Sequence, residues 1–296
     1  MSQAASPASG HAYGLSRVLR VWQLPRSSFY ACRQRGRRVA PPSRRGPKPR
    51  WSDEQLLAAI QDHITASPFH GEGYRKLWAR LRAGGLRTSP ARVLRLMRAA
   101  ALLSPARMPQ APAREHLGTI TTPAPNLMWG TDMTLTVTLD DGQVSVFASI
   151  DHCNSECVGI HAAKSGNRFE ALEPLRQGVR EQFGAFGQGV AAGLKLRHDH
   201  GSQYMSNDFQ AEIAFLGMTS SPAFVRQPEG NGCIERFFRT LKEQLLWVRH
   251  FQNVEELRLA LVEFRHHYNH NWLIGRLGYR SPLAAREKLQ AAAAAA

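Results

Sequence analysis

At 296 residues the chain is too long for one small domain, and its 43 % hydrophobic content is enough to build a real core. No run of eighteen uncharged apolar residues occurs and Met1–Gly10 lacks the apolar block of a secretory signal, so no membrane partner and a cytoplasmic, nucleoid-associated chain are expected. A formal charge of +15 points to a polyanionic partner, and its distribution is uneven: residues 1–126 hold 21 of the 38 Lys+Arg but only 5 of the 23 Asp+Glu, a net of +16, whereas residues 127–296 net −1. One half is built to meet nucleic acid and the other to do something else.

Taken in order, Leu15 to Gln34 shows two short helical patterns broken at Gln23-Leu24-Pro25, with Ser27 and Ser28 as candidate caps, so residues 11–34 are expected to form a helix-turn-helix-like segment. Residues 35–51 are a Pro/Arg linker, and arginines such as Arg44 and Arg45 suit contact with phosphates. Residues 52–103 read as a three-helix DNA-binding domain. Ser52 caps the first helix, with Leu56, Leu57, Ile60 and Ile64 on its apolar stripe. The second turns Tyr74, Leu77, Trp78 and Leu81 inward and Arg75, Lys76, Arg80 and Arg82 outward, and Gly84-Gly85 closes it. The third opens on Ser89-Pro90, sets Val93, Leu94, Met97 and Leu102 toward the core, and aligns Arg92, Arg95 and Arg98 as a basic stripe suited to a DNA groove or backbone.

Five prolines mark residues 104–126 as a second linker. Residues 127–290 then change rhythm. Strands are expected at Trp129–Leu139, Val144–Ile150, Cys157–Ala162, Leu194–His198 and Met218–Ser221, with helices at Asn167–Phe183, Ser206–Leu216, Asn231–Arg249 and Asn253–Tyr268. Three strands in succession followed by strands alternating with helices give an α/β fold with a mixed sheet, a ribonuclease-H-like core behind small all-α segments. Cys32, Cys153, Cys157 and Cys233 have neither disulfide-framework nor zinc-finger spacing. His152 with Cys153 and Cys157, and His266 with His270, read as thiols and packed or surface histidines rather than metal ligands.

Three acids stand out by position. Asp132 lies inside an expected strand, Asp199 ends another, and Glu235 falls in the first turn of a long helix. A carboxylate midway along a β-branched strand is costly unless it is paired or ligates a cation. Three carboxylates on separate elements can hold two Mg²⁺ (or Mn²⁺) ions for in-line phosphoryl transfer. Asp151 also ends a strand but lacks comparable neighbours, and is read as a decoy.

Thirty-five residues separate Asp199 from Glu235, with Arg239 and Lys242 four and seven residues beyond it. This resembles the D,D(35)E signature of retroviral integrases and bacterial insertion-sequence transposases. Trp129 with Asp132 and Thr134, His200-Gly201-Ser202-Gln203-Tyr204, and Ile234-Glu235-Arg236-Phe237-Phe238 with Leu241-Lys242 look like the OrfB catalytic subunit. Gly73-Tyr74-Arg75-Lys76-Leu77, Val93 to Met97, Tyr268-Asn269 and Leu277 to Pro282 extend the similarity over residues 14–287. The chain departs from the family in His198-Asp199-His200 for Ser-Asp-Arg, Asp151-His152-Cys153-Asn154 for Asp-Phe-Ser-Arg, and Trp272-Leu273-Ile274 for Arg-Pro-His. The resemblance implies a DDE transposase that nicks element ends, freeing a 3′-hydroxyl that attacks a second phosphodiester without a protein–DNA intermediate. Asp132, Asp199 and Glu235 would be both catalytic residues and metal ligands, and Arg239 and Lys242 would contact DNA. Its partners would be the terminal repeats and target, a homo-oligomer on DNA, and an upstream-frame product or fusion. A catalytically idle DNA-binding regulator and a hybrid-cleaving nuclease are the alternatives.

Overall fold

The computed structural model describes residues 3–36, 50–104, 120–223 and 231–295, and the chain divides into two units, Met1–Arg50 and Trp51–Ala296. Most of both expected linkers, with Arg44 and Arg45, lies outside the described residues. The first unit holds α1 (Leu15–Val21) and α2 (Arg26–Gly36). Ser27 and Ser28 fall inside α2 instead of capping it. Leu19 is buried while Val21, Trp22 and Leu24 are exposed, as expected of a segment too short to close a core.

The second unit opens with α3 (Asp53–Ala66), α4 (Tyr74–Ala83) and α5 (Pro90–Ala99). Ser52 and Gln55 form a reciprocal capping box, and Ser89 caps α5 ahead of Pro90. Leu56, Ile60, Leu77, Leu81, Val93, Leu96 and Met97 fill the core between them. Leu96 takes the place expected of Leu94, because positions three and four after Val93 share its face.

The sheet runs β1 (Met128–Thr138), β2 (Gly142–Asp151), β3 (Cys157–Ala163), β4 (Lys195–His198) and β5 (Thr219–Pro222), in the spatial order β3-β2-β1-β4-β5. The first three strands form an antiparallel meander, and β4 and β5 join parallel to β1. This is the ribonuclease-H-like sheet, with α/β crossovers where parallel strands require them. α6 (Arg168–Phe183), the short α7 (Ser202–Met205) and α8 (Asn207–Phe215) cover one face, through a core of Trp129, Phe147, Val158, Leu175, Leu196 and Phe209. α9 (Gly232–Leu241) and α10 (Val254–Asn271) cover the other, packing Phe237, Leu241 and Leu261 on Val146, Ala148 and Ile150.

Two features depart from the expected elements. The helix expected to run from Asn231 to Arg249 ends as an α-helix at Leu241 and continues as one wide π turn, Lys242–Leu246, so that Leu246 is buried and Leu245 is only partly so. A final helix, α11 (Pro282–Ala294), was not anticipated; Ser281 caps it and Pro282 opens it. Its Arg286 reaches into the sheet domain, donating to Glu156 at 2.5 Å and lying 3.7 Å from Asp151. No helix among the described residues is long and apolar enough to cross a membrane.

Candidate active site

Alternation along β1 decides where Asp132 points. Trp129 belongs to the core under α6, while Ala148, the partner of Asp132 across the β1–β2 ladder, belongs to the core under α9 and α10. Asp132 therefore projects to the α9 side. Continuing the parallel register, which pairs Gly130 with Arg197, by two residues sets Asp132 level with Asp199, just past the end of β4. α9 packs across β1 and β2 and brings Glu235, in its first turn, over the same face.

Each aspartate is held by local backbone. Asp132 accepts from the Met133 N–H at 2.8 Å, and Asp199 accepts from the Gly201 N–H at 2.8 Å. A Cβ at Gly201 would lie 2.6 Å from the Gln203 side chain and 2.9 Å from Asp199 Oδ1, so glycine lets both side chains keep these positions. Buried His198 donates from Nδ1 to the Asp199 carbonyl at 2.6 Å and stacks on Tyr204, while its Nε2 accepts from Ser220 Oγ at 2.9 Å. Burial lowers the proton affinity of His198, which suits this neutral tautomer.

Burial pushes the Asp132 carboxyl up to about 6, the Met133 N–H opposes that rise, the negative charges of Asp199 and Glu235 add to it, and Lys242 holds it down. Burial also raises Glu235. The three acids and Lys242 thus share one electrostatic neighbourhood. They stop short of ion-coordinating range: among the described residues, no group of three His, Cys, Asp or Glu side chains is close enough to hold a metal ion. Arg239, instead of lying free beside Glu235, pairs with Glu243 at 3.0 Å.

The basic residues expected on the helical domain divide. Arg75 and Arg98 are exposed. Arg92 and Arg95 both reach Asp53, at 2.6 Å each. Lys76 and Arg80, expected to face outward, turn toward the sheet domain. The Lys76 ammonium sits 2.7 Å from the centre of the Trp272 ring, and Arg80 joins Glu72 at 3.0 Å and the Asn271 carbonyl at 2.9 Å. Helical periodicity identifies the face of α4 that meets α3 and α5, but not a second face covered by residues two hundred positions away.

Asp151 has a structural role. It is fully buried, accepts from the backbone N–H groups of Asn126 (2.6 Å) and Cys153 (2.7 Å), and lies near Arg286. Cys153, Cys157 and Cys233 are buried, and burial pushes the Cys157 thiol up to about 12, so it stays protonated. His266 and His270 lie against one another on α10 with ring centres 4.1 Å apart. Sequence reading gave no site role to His198, which bonds the Asp199 carbonyl, or to His152, Arg197 and Asn231, which lie near Gly130. The usable signals were Gly130, an unexplained glycine two residues before Asp132 in a strand, and the placement of Arg197 and His198 directly before Asp199.

The mixed five-stranded sheet, crossed by a helix that carries an acid toward two acids on β1 and β4, defines the class: an integrase-type core on a ribonuclease-H-like fold. Residues 216–282 match the Integrase core domain family and residues 51–110 the HTH-like domain family. The transposase InsD of insertion element IS2A/D/F/H/I/K from Escherichia coli is 30 % identical over 239 residues, covering 78 % of this chain and 77 % of that protein. The chain belongs to this family of insertion-element transposases. An IS2A 48.2 kDa protein of Escherichia coli is 28 % identical over 294 residues, 94 % of this chain but only 66 % of its own length. Among solved structures, the simian T-cell lymphotropic virus intasome in complex with a PP2A regulatory subunit aligns with a TM-score of 0.46 at 17 % identity, over 77 % of this chain and 74 % of that one. The HTLV-2 integrase catalytic core in complex with magnesium aligns at 0.42 and 15 %, over 55 % and 98 %.

Proposed function

We propose that the chain cuts and rejoins DNA by metal-dependent in-line phosphoryl transfer, with Asp132, Asp199 and Glu235 as its catalytic ligands. The observation that carries this reading is the Asp132 carboxyl, raised to about 6 by burial and by two more carboxylates on the same face, with one lysine nearby. Such a site is short of positive charge. Its donors are all carboxylate oxygens, the set that suits hard divalent ions. Two Mg²⁺ or Mn²⁺ ions would activate an attacking oxygen and stabilise the leaving one. The chain's own residues do the rest. His198 and Gly201 fix the main chain and carboxylate of Asp199, and Met133 orients Asp132. Lys242, close enough to act on Asp132, guides a phosphate toward the acids. The nicking step releases a 3′-hydroxyl at the element end, which then attacks the target phosphodiester, one P–O bond forming as another breaks.

The basic helical domain, residues 52–103, supplies DNA affinity through Arg75, Arg92, Arg95 and Arg98, and the assembly on terminal repeats and target is a homo-oligomer. The chain spans 66 % of the length of the 48.2 kDa relative, and an upstream-frame partner or fusion is part of this reading. A second reading, a DNA-binding regulator with an idle site, is favoured by the separation of the three carboxylates. Incubating the chain and its Asp132→Asn variant with Mg²⁺ on terminal-repeat DNA and on an RNA–DNA hybrid separates the readings. Mg²⁺-dependent nicking of the DNA by the wild type alone supports the proposal. DNA binding without turnover supports the regulator, and cleavage confined to the hybrid supports a nuclease.

A further inference from the structure

One layer below the acids, toward the start of β1, lies a second cluster on the same face. Gly130 is two residues before Asp132, Arg197 two before Asp199, and Asn231 four before Glu235, so each lies on the same side of its element as the acid that follows. The side chains crowd together. A Cβ on Gly130 would come within 2.8 Å of His152 Nε2 and 3.2 Å of Asn231 Oδ1, so both atoms face the same small space against the β1 backbone. Burial lowers the proton affinity of His152, and the charges of Arg197 and Arg276 are near enough to lower it further.

Three polar atoms here are buried without a hydrogen-bond partner: His152 Nε2, Asn231 Oδ1 and Arg197 Nε, on residues 1 %, 6 % and 6 % exposed. Leaving buried polar groups unsatisfied is costly, and native proteins rarely tolerate several in one place. These three are complementary. His152 Nδ1 faces the Ile120 carbonyl at 3.1 Å and must donate to it, so the neutral ring offers a lone pair at Nε2. Arg197 Nε is a donor. Asn231 has one acceptor and two donor hydrogens, and it starts α9 without using its side chain as a cap. It is therefore free to bridge the other two.

We propose that Arg197, Asn231 and His152 are positioning residues that lock the first turn of α9 to the sheet. Arg197 Nε donates to Asn231 Oδ1 and Asn231 Nδ2 donates to His152 Nε2, so that Glu235 is held over Asp132 and Asp199. Asn231 Oδ1 and His152 Nε2 face one space, and a half turn of the Asn231 amide offers its Nδ2 to His152 and its Oδ1 to Arg197. Gly130 is glycine because a side chain would fill the space through which Asn231 meets His152. The effect of the lock on catalysis rests on the function proposed above, whereas the lock itself does not.

The test uses the full chain with Asn231→Ala, His152→Ala and the double variant, and reads hydrogen exchange in residues 231–238 without metal or DNA. Each single variant is expected to speed exchange there about tenfold, and the double variant no further, because each breaks the same chain of bonds. Asn231→Leu, close in volume, removes both the acceptor for Arg197 and the donor to His152, and gives the same result should Asn231→Ala fail to fold. In nicking assays the Mg²⁺ concentration for half-maximal rate is expected to rise about tenfold, with the rate largely recovered at saturating Mn²⁺. A loss of general stability alone would not produce that split. Unchanged exchange in residues 231–238, or single-variant effects that simply add, overturns the lock. Altered exchange beside a wild type that never cuts DNA supports the lock and sinks the catalytic reading.

Discussion

Asp53, in the helical domain, and Asp132, in the sheet domain, are carboxylates treated in opposite ways. Hydrogen bonds from Arg95 and Arg92 hold Asp53 below the usual carboxylate range, at the surface, where α3 and α5 are tied together. Asp132 is raised to about 6 by burial, and the charges placed nearest to it include two more acids. The helical domain pairs Asp53 and Glu72 with arginines, Glu72 in a buried contact with Arg80. The sheet domain also does this wherever a charge is structural, as Asp151 and Glu156 show beside Arg286. The face under α9 instead sets Asp132 among two further carboxylates with Lys242 as the cation that acts on it.

The contrast breaks most visibly at the acids. Asp132→Asn, Asp199→Asn and Glu235→Gln are each expected to lower nicking and strand transfer by on the order of 10³-fold or more, measured on terminal-repeat DNA. Asp132→Asn should also stabilise the protein. A carboxyl whose folded pKa exceeds its unfolded value favours folding only when protonated, so ionised Asp132 is a liability above pH 6. At pH 7 its removal is worth about 2 kcal/mol, or several degrees in thermal midpoint. The gain should fade as pH drops through 6 and vanish below pH 4. The corresponding Asp53→Asn change should stabilise at no pH, and scanning calorimetry across pH compares the two. A gain for Asp53→Asn would break the contrast.

Activity should follow the same carboxyl. Ligation requires ionised Asp132, so the rate at limiting Mg²⁺ is expected to fall about tenfold per unit as pH drops below 6, and extra Mg²⁺ should move that midpoint lower. A midpoint insensitive to Mg²⁺ would assign the titration to another group. Lys242→Ala should cost about 10- to 100-fold in strand transfer with the thermal midpoint nearly unchanged, and Lys242→Glu more, since it repels both the DNA and the acids. Wild-type rates in both would make Lys242 decorative.

The smallest effects sharpen the view of the helical domain. Arg75→Ala and Arg98→Ala should each weaken DNA binding evenly across sequences and reduce the slope of log affinity against log salt by about one. Lys76→Ala should leave that slope alone and instead loosen the packing on Trp272. An equal loss of slope for Lys76 would restore it as a phosphate contact. Arg92→Ala should cost under about 1 kcal/mol of stability, as exposed ion pairs do.

Composition and periodicity determined by themselves that a basic helical front precedes a mixed α/β core, and the resemblance to the D,D(35)E signature singled out Asp132, Asp199 and Glu235 as the acids to watch. Those signals are local. Alternation along β1, the Ser52 and Ser89 caps, and the spacing from Asp199 to Glu235 can all be read along the chain, because strand and helix periods dictate side-chain direction without reference to distant partners. Tertiary structure decided what depends on a second surface. Lys76 and Arg80 carry the same charge as Arg75, yet only contact with Trp272 and Asn271 turns them inward. Asp151 carries the same carboxyl as Asp132, yet Asn126, Cys153 and Arg286 make it structural. The π turn at Lys242 arises in a continuous helical pattern, where Gln244 exchanges two hydrogen bonds with the backbone of His70. The layer of His152, Arg197 and Asn231 comes from three elements that meet only because β1 and β4 are parallel neighbours with α9 laid across them. A charge or polar group acquires its role from what neutralises or pairs with it, and in this fold those partners lie far away in sequence.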